Sequence, residues 1–132
     1  MLCLIPVAAS DEQVLPGFYR SLAHWGPYLD DACLIVVTPE VQESYPEMMD
    51  IVGKIRDLFP KSVTDCIRFT DNTPEGGWPT APNIHWMYAI IALQTIGNKE
   101  PFIWLEPDTV FVTKSPLAKL KQELIQCEKP YM

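Results

Sequence analysis

The stretch Pro101–Val112, PFIWLEPDTVFV, decides how the rest of the chain is read. Its apolar residues, before and after the centre, predict a strand buried on both faces, as in a parallel sheet. Glu106 and Asp108 interrupt that run, with Pro107 between them. An unpaired charge inside such a strand costs on the order of several kcal/mol or changes its protonation state, so the two acids call for a partner. Residues two apart on an extended chain point the same way, which lets both carboxylates face one point. Pro107 restricts its own φ and keeps Glu106 extended, stiffening that presentation. Hard cations such as Mg²⁺ take one or two protein carboxylates together with water and phosphate oxygens. Glu106 and Asp108 are therefore candidate metal ligands, and the simpler reading makes them strand-end residues that cap the next turn.

Working outward, apolar runs alternate with helical patterns. Leu2 to Ala8 predicts a central strand, and Ser10 then caps a helix with Val14, Leu15, Phe18 and Leu22 on one face. Ala32 to Thr38 is a second buried strand, stopped by Pro39. Ser44 and Glu47 have the spacing of a capping box, with Pro46 in the first turn and Met48, Val52, Ile55 and Phe59 inward. Val63 to Phe69 is a weaker strand, broken by Asp65 and Arg68, and suits a sheet edge. TDNTPEGGWPTAP, residues 70–82, is a loop. Asn83 caps a helix with the stripe Ile84, Met87, Tyr88, Ile91 and Thr95, ended by Gly97 and Asn98. After the strand Phe102 to Leu105, Ser115 and Pro116 open a last helix with Leu117, Leu120 and Leu124 inward. Strands alternating with helices through short loops predict an α/β fold, a mainly parallel, Rossmann-like sheet with helices on both faces. Ligands in such sheets sit beyond the carboxyl ends of the strands, where Glu106 and Asp108 fall.

The bulk properties narrow the partners. At 132 residues with 48% hydrophobic residues, the chain suits one domain with a real core. A formal charge of −7 opposes non-specific binding to nucleic acid or to an anionic membrane surface. No apolar run reaches transmembrane length, and the opening MLCLIPVAAS, lacking a basic start, reads as a strand rather than a signal peptide. Cys3, Cys33, Cys66 and Cys127 are far apart with no C-x-x-C pattern, which points away from zinc and towards a reducing, cytoplasmic setting.

With these residues in place, APNIHWMYAIIALQTIGNKEPFIWLEPDTVFV resembles the core of nucleotide-diphospho-sugar glycosyltransferases of the GT-A fold. That family has an Asn near the start of a helix, followed by a strand ending in an Asp-x-Asp motif. The resemblance implies a three-layer α/β/α domain in which the motif holds Mn²⁺ or Mg²⁺ and the metal bridges the diphosphate of a nucleotide-sugar donor. Glu106 and Asp108 stand at the motif, Glu replacing the first Asp. LIPVAASDEQVLPGFYRSL is similar to the family's first strand and helix, and it implies donor contacts at Pro6, Val7, Ala8 and Ser10. Asn83 matches the helix Asn, and Asp71, at the end of the third strand, is a candidate for the base or ribose. The likeness covers most of the chain in element order but matches specific residues only around Asn83 and Glu106 to Asp108. Ala81 and Pro82 stand where a basic residue is common, and only Thr38 and Glu40 are near the acid expected after the second strand.

The implied protein is a single nucleotide-sugar-binding domain over residues 1–132, cut short on the acceptor side, with an unknown acceptor and no visible catalytic base. Among other residues, Trp78 after Gly76 and Gly77 suits a mobile lid or a half-buried loop anchor. His85 is a candidate ligand or acid/base group, or an ordinary hydrogen-bonded helix histidine. His24 complements a helix end and Lys114 is a solvated lysine or a phosphate contact. Two alternatives compete: a non-catalytic nucleotide-sugar-binding or interaction module, and a phosphatase of the haloacid-dehalogenase type. The phosphatase needs an Asp nucleophile where Glu106 stands.

Overall fold

In the computed structural model, residues 2–25, 32–59, 61–66 and 80–127 are described. Strands β1 (Leu2–Val7), β2 (Ala32–Val37), β3 (Lys61–Cys66) and β4 (Phe102–Trp104) form one sheet in the order β3-β2-β1-β4. Every neighbouring pair is parallel, with Leu2 opposite both Ala32 and Phe102. β3 lies at an edge, as its broken apolar pattern predicts. The order reverses beside β1: the chain moves outward through β2 and β3, then returns to place β4 on the other side of β1.

The period of two along a strand sorts the core into two layers. Cys3, Ile5, Val7, Cys33, Ile35 and Val37 face a cluster built by helices α1 (Leu15–Trp25), α2 (Pro39–Ser44), α3 (Pro46–Asp57) and α5 (Pro116–Gln126). Leu2, Leu4, Leu34 and Val36 face the opposite way, against Ala89, Ala92 and Leu93 of α4 (Thr80–Thr95). Each fully buried Leu, Ile or Phe in these layers contributes roughly 1.5–3 kcal/mol of transfer free energy.

Several local expectations shift. Ser10 does not cap α1, since it lies inside a 3-10 turn, Ala9–Asp11, that precedes the helix. The capping box at Ser44 does not form, because Pro39 nucleates a separate short helix that ends at Ser44 and leaves Tyr45 as the N-cap of α3. Asn83 is not a cap either: α4 begins at Thr80, so the last residues of the expected 70–82 loop are helical. The stripe on α4 is rotated from the expected one. Ala89 and Leu93 face the sheet, whereas Met87 is 59% and Ile91 50% exposed. The helix is apolar almost all round, so its composition alone does not pick out a buried face. Its end does match: Gly97 at φ 69° donates to the Gln94 carbonyl and Asn98 to that of Leu93, the two bonds of a Schellman cap. Residues 67–79 and 128–132, including Asp71 and Trp78, fall outside the described residues.

Candidate functional site at the carboxyl rim of the strands

The reversal of strand order places the carboxyl ends of β1 and β4 side by side, and the segments leaving both run on the α1 side of the sheet, where Phe111 packs against Phe18. Such a switch point opens a crevice in which parallel α/β sheets bind ligands. Pro6 and Val7 end β1 as buried residues, so they contribute to the crevice through their backbone. Ala8 is half-buried and Ser10 exposed in the turn that follows. On the other side, the Leu105 amide donates to the Leu4 carbonyl at 2.9 Å, which carries the pairing one residue past β4. The chain then turns, with the Thr109 amide bonded to the Glu106 carbonyl at 2.9 Å.

That turn changes the meaning of the acidic pair. Glu106 and Asp108 are exposed and Pro107 is buried between them. The second apolar flank is not a strand, for Val110 is 71% and Val112 83% exposed. The acids therefore pay no penalty for sitting in a sheet interior; they lie just beyond it, and Pro107 is the residue that packs inward. Their position at the rim, rather than burial, is what makes them candidates for binding.

The alternation of Leu105, Glu106, Pro107 and Asp108 leaves both carboxylates on the solvent side. Trp104 Nε1 donates to Glu106 Oε1 at 3.1 Å, so one oxygen of Glu106 is engaged and oriented. Across the crevice stands Asp11, an acid not singled out in the sequence. Its Oδ2 accepts the Ala8 amide at 2.8 Å, closing the turn after β1. Burial raises the Asp11 carboxyl above its ordinary value; the Ala8 bond opposes this, and the negative charges of Glu106 and Asp108 add to it. The three acids thus repel one another across the switch point. The spacing Ala8-x-x-Asp11 is the only sequence signal for this residue, that of an acid reaching back to the start of its own turn.

Among the described residues, no group of three His, Cys, Asp or Glu side chains is arranged to hold a metal ion. An ion on Glu106 and Asp108 has to complete its shell with water and ligand phosphate, which is the habit of Mg²⁺. Two exposed carboxylates with a third acid nearby fit that requirement. They do not fit a site that binds a bare ion through protein ligands alone.

His85 comes into the same region from α4. It is 8% exposed, the only buried polar or charged residue identified among the described ones. Nε2 lies 3.2 Å from the Val36 carbonyl, which can only accept, so Nε2 carries the proton and Nδ1 is the acceptor of the ring. The ring meets Trp104 edge-on at 6.4 Å, and Trp104 in turn packs on Trp86 at 4.7 Å. Burial lowers the His85 pKa below its ordinary value, against the opposing pull of the Val36 bond and of the Glu106 charge. Asn83, two residues earlier, is exposed, and no hydrogen bond brings it to the acids. Thr38, at the carboxyl end of β2, has a buried hydroxyl with no partner among the described residues. His24 stacks edge-on with Trp25 at 4.7 Å, at the far end of α1.

This arrangement defines a parallel α/β protein with an acidic rim at the switch point of its sheet. No helix among the described residues is long and apolar enough to cross a membrane. No family model matches the chain, and no curated protein or solved structure matches it either.

Proposed function

We propose that the chain is the donor-binding part of a metal-dependent glycosyltransferase of the GT-A type, acting on a nucleotide-diphosphate sugar. The observation that carries this reading is the exposed pair Glu106 and Asp108 at the reversal of strand order, opposite the turn after β1. Mn²⁺ or Mg²⁺ held by these two carboxylates neutralises the diphosphate and the charge that develops on it as the sugar leaves. Trp104 fixes one Glu106 oxygen through its N–H, which leaves the other oxygen for the cation. Val7, Ala8 and Ser10 offer the backbone and side chain nearest the nucleoside, with Asp11 holding their turn in shape. The buried position of Cys33, which forms no disulfide, suits a reducing, cytoplasmic setting. The acceptor, and the group that takes its proton, are left open.

Thermal unfolding with UDP-, GDP-, ADP- and CDP-sugars, each with and without Mn²⁺, tests the proposal. One nucleotide class stabilises the chain with Mn²⁺ and much less without it; at a hundredfold excess over Kd the gain is about 2.7 kcal/mol. The double variant Glu106→Gln with Asp108→Asn abolishes that gain while its own unfolding midpoint holds or rises. If no nucleotide sugar stabilises the protein, or the double variant responds as the wild type does, the proposal fails. Stabilisation without sugar transfer to any acceptor assigns the chain a binding role only.

A further inference from the structure

A second recess opens on the α1 side of the acidic rim. It is an open groove of about 240 Å³ between α1, at Gln13, Val14, Gly17 and Arg20, and the segment after β4, at Asp108 and Val110. Its two walls are tied together. The Phe111 amide donates to Ser21 Oγ at 2.9 Å, and the Phe111 ring packs against Phe18 at 6.4 Å between centroids. The recess is therefore a feature of the packed fold rather than a gap between loose segments.

Its chemistry is mixed in a particular way. Arg20 and Asp108 line the same recess with opposite charges, yet they form no ion pair with each other. Gln13 and Thr109 add neutral donors and acceptors, while Val14, Pro107 and Val110 supply apolar surface. A Cβ placed on Gly17 would meet nothing within 4 Å, so this part of the wall is open space. Small-molecule pockets for drug-sized ligands run to about 300–1,000 Å³, so this one suits something smaller, the size of a single sugar ring. A guanidinium selects an anionic group, and a carboxylate lining the same groove accepts hydrogen bonds from hydroxyls.

We infer that this recess is a binding subsite for a monosaccharide-sized polyol bearing one anionic substituent. Arg20 takes the carboxylate or phosphate, and Asp108, Gln13 and Thr109 take the hydroxyls. Asp108 then faces two ways, towards the diphosphate region and towards this subsite. Recognition of the sugar needs no nucleotide and no metal, so the inference stands or falls apart from the donor reading.

Titration of the full chain followed by amide NMR tests it, with glucuronate, glucose 6-phosphate and glucose as probes and with Mn²⁺ and nucleotides omitted. The two anionic sugars shift the amides of Gly17 and Thr109 and bind at least about tenfold more tightly than glucose, a difference worth 1.4 kcal/mol. Arg20→Gln erases that preference. Gly17→Met fills the open wall and removes binding of all three sugars, and because a helical glycine is costly its unfolding midpoint holds or rises. If Gly17→Met folds poorly, Val110→Trp closes the recess from the exposed opposite wall with the same expected loss. Equal shifts with glucuronate and glucose 6-phosphate identify the shared anionic chemistry, and a strong bias to one identifies its source. The inference is overturned if the sugars leave these amides unmoved, if acetate or inorganic phosphate binds as tightly as the sugars, or if both recess-filling variants bind normally.

Discussion

Two faces of one sheet are covered in different ways. On one, α1, α2, α3 and α5 press Phe18, Leu22, Val52, Ile55 and Leu117 onto β1 and β2, and this layer is apolar throughout. On the other, α4 lays Ala89, Ala92 and Leu93 over Leu4, Leu34 and Val36 and also carries His85 to the carboxyl rim. There His85 meets Trp104, which holds Glu106. The first face is a packing surface whose worth is measured in buried area. The second combines packing with two separate polar contacts, His85 to Val36 and Trp104 to Glu106, made by rings that meet edge-on. A buried polar side chain is retained where a specific acceptor satisfies it, and here the acceptor is the Val36 carbonyl near the carboxyl end of β2.

The sharpest break in that comparison is by truncation. Phe18→Ala removes a ring that is 1% exposed from the four-helix face and is expected to cost about 3–5 kcal/mol. Met87→Ala, on the outer side of α4, stays within about 0.5 kcal/mol. Urea unfolding of both variants checks the contrast, and similar losses would mean that the outward side of α4 is packed against something in solution.

A smaller effect belongs to His85. His85→Ala removes the bond to the Val36 carbonyl and the buried packing of the ring, and is expected to cost about 1–3 kcal/mol. Its pH dependence has a definite sign. Because burial depresses the folded pKa below 6.5, the wild type keeps the full contribution of neutral His85 above that value and loses it as pH falls through the folded pKa. Stability measured against pH from neutrality into mild acid should slope downward in the wild type and lose that component in the variant. An unchanged slope would assign the acid sensitivity to another group.

The smallest expected effect is at Asp11, and it has the opposite sign. Its folded pKa lies above 3.8, so the folded state holds the proton more tightly and stability declines as pH rises from 3.8 through the folded value. Asp11→Asn keeps an acceptor for the Ala8 amide and removes a charge facing Glu106 and Asp108. Near neutral pH it should gain less than about 1 kcal/mol, since the carboxyl is only half-buried and water screens the repulsion. Thermal unfolding at neutral and acid pH checks this: the gain should vanish in acid, and a variant less stable than the wild type at neutrality would show that the three acids do not strain the rim.

Much of the architecture was legible because the strands announce themselves. LCLIPV and ACLIVV are continuous apolar runs that only a doubly covered strand accommodates, and the edge position of β3 agrees with Asp65 breaking its apolar run. α1 and α3 were legible through Phe18, Leu22, Val52 and Ile55 at helical spacing. The buried side of α4 was not, since Met87 and Ile91 are as apolar as Ala89 and Leu93, and which pair turns inward depends on the shape of the strands beneath. The caps at Ser10, Ser44 and Asn83 were misplaced because a motif of four residues states a preference worth about 1 kcal/mol. A competing turn at Ala9–Asp11, or Pro39 starting a helix of its own, outweighs it. Glu106 and Asp108 were found for a reason that the structure replaces: they are exposed at a rim rather than buried in a strand.

Sequence by itself determined that the chain builds a parallel α/β sheet and that an acid pair follows its last short strand, because the period of side chains along a strand or helix is set by backbone geometry. Tertiary structure alone decided that β4 returns beside β1, that Asp11 then stands across from Glu106 and Asp108, and that His85 reaches β2 rather than solvent. Those are contacts between residues dozens of positions apart, and their free energy is realised only when the whole core closes, so no local pattern in the chain encodes them.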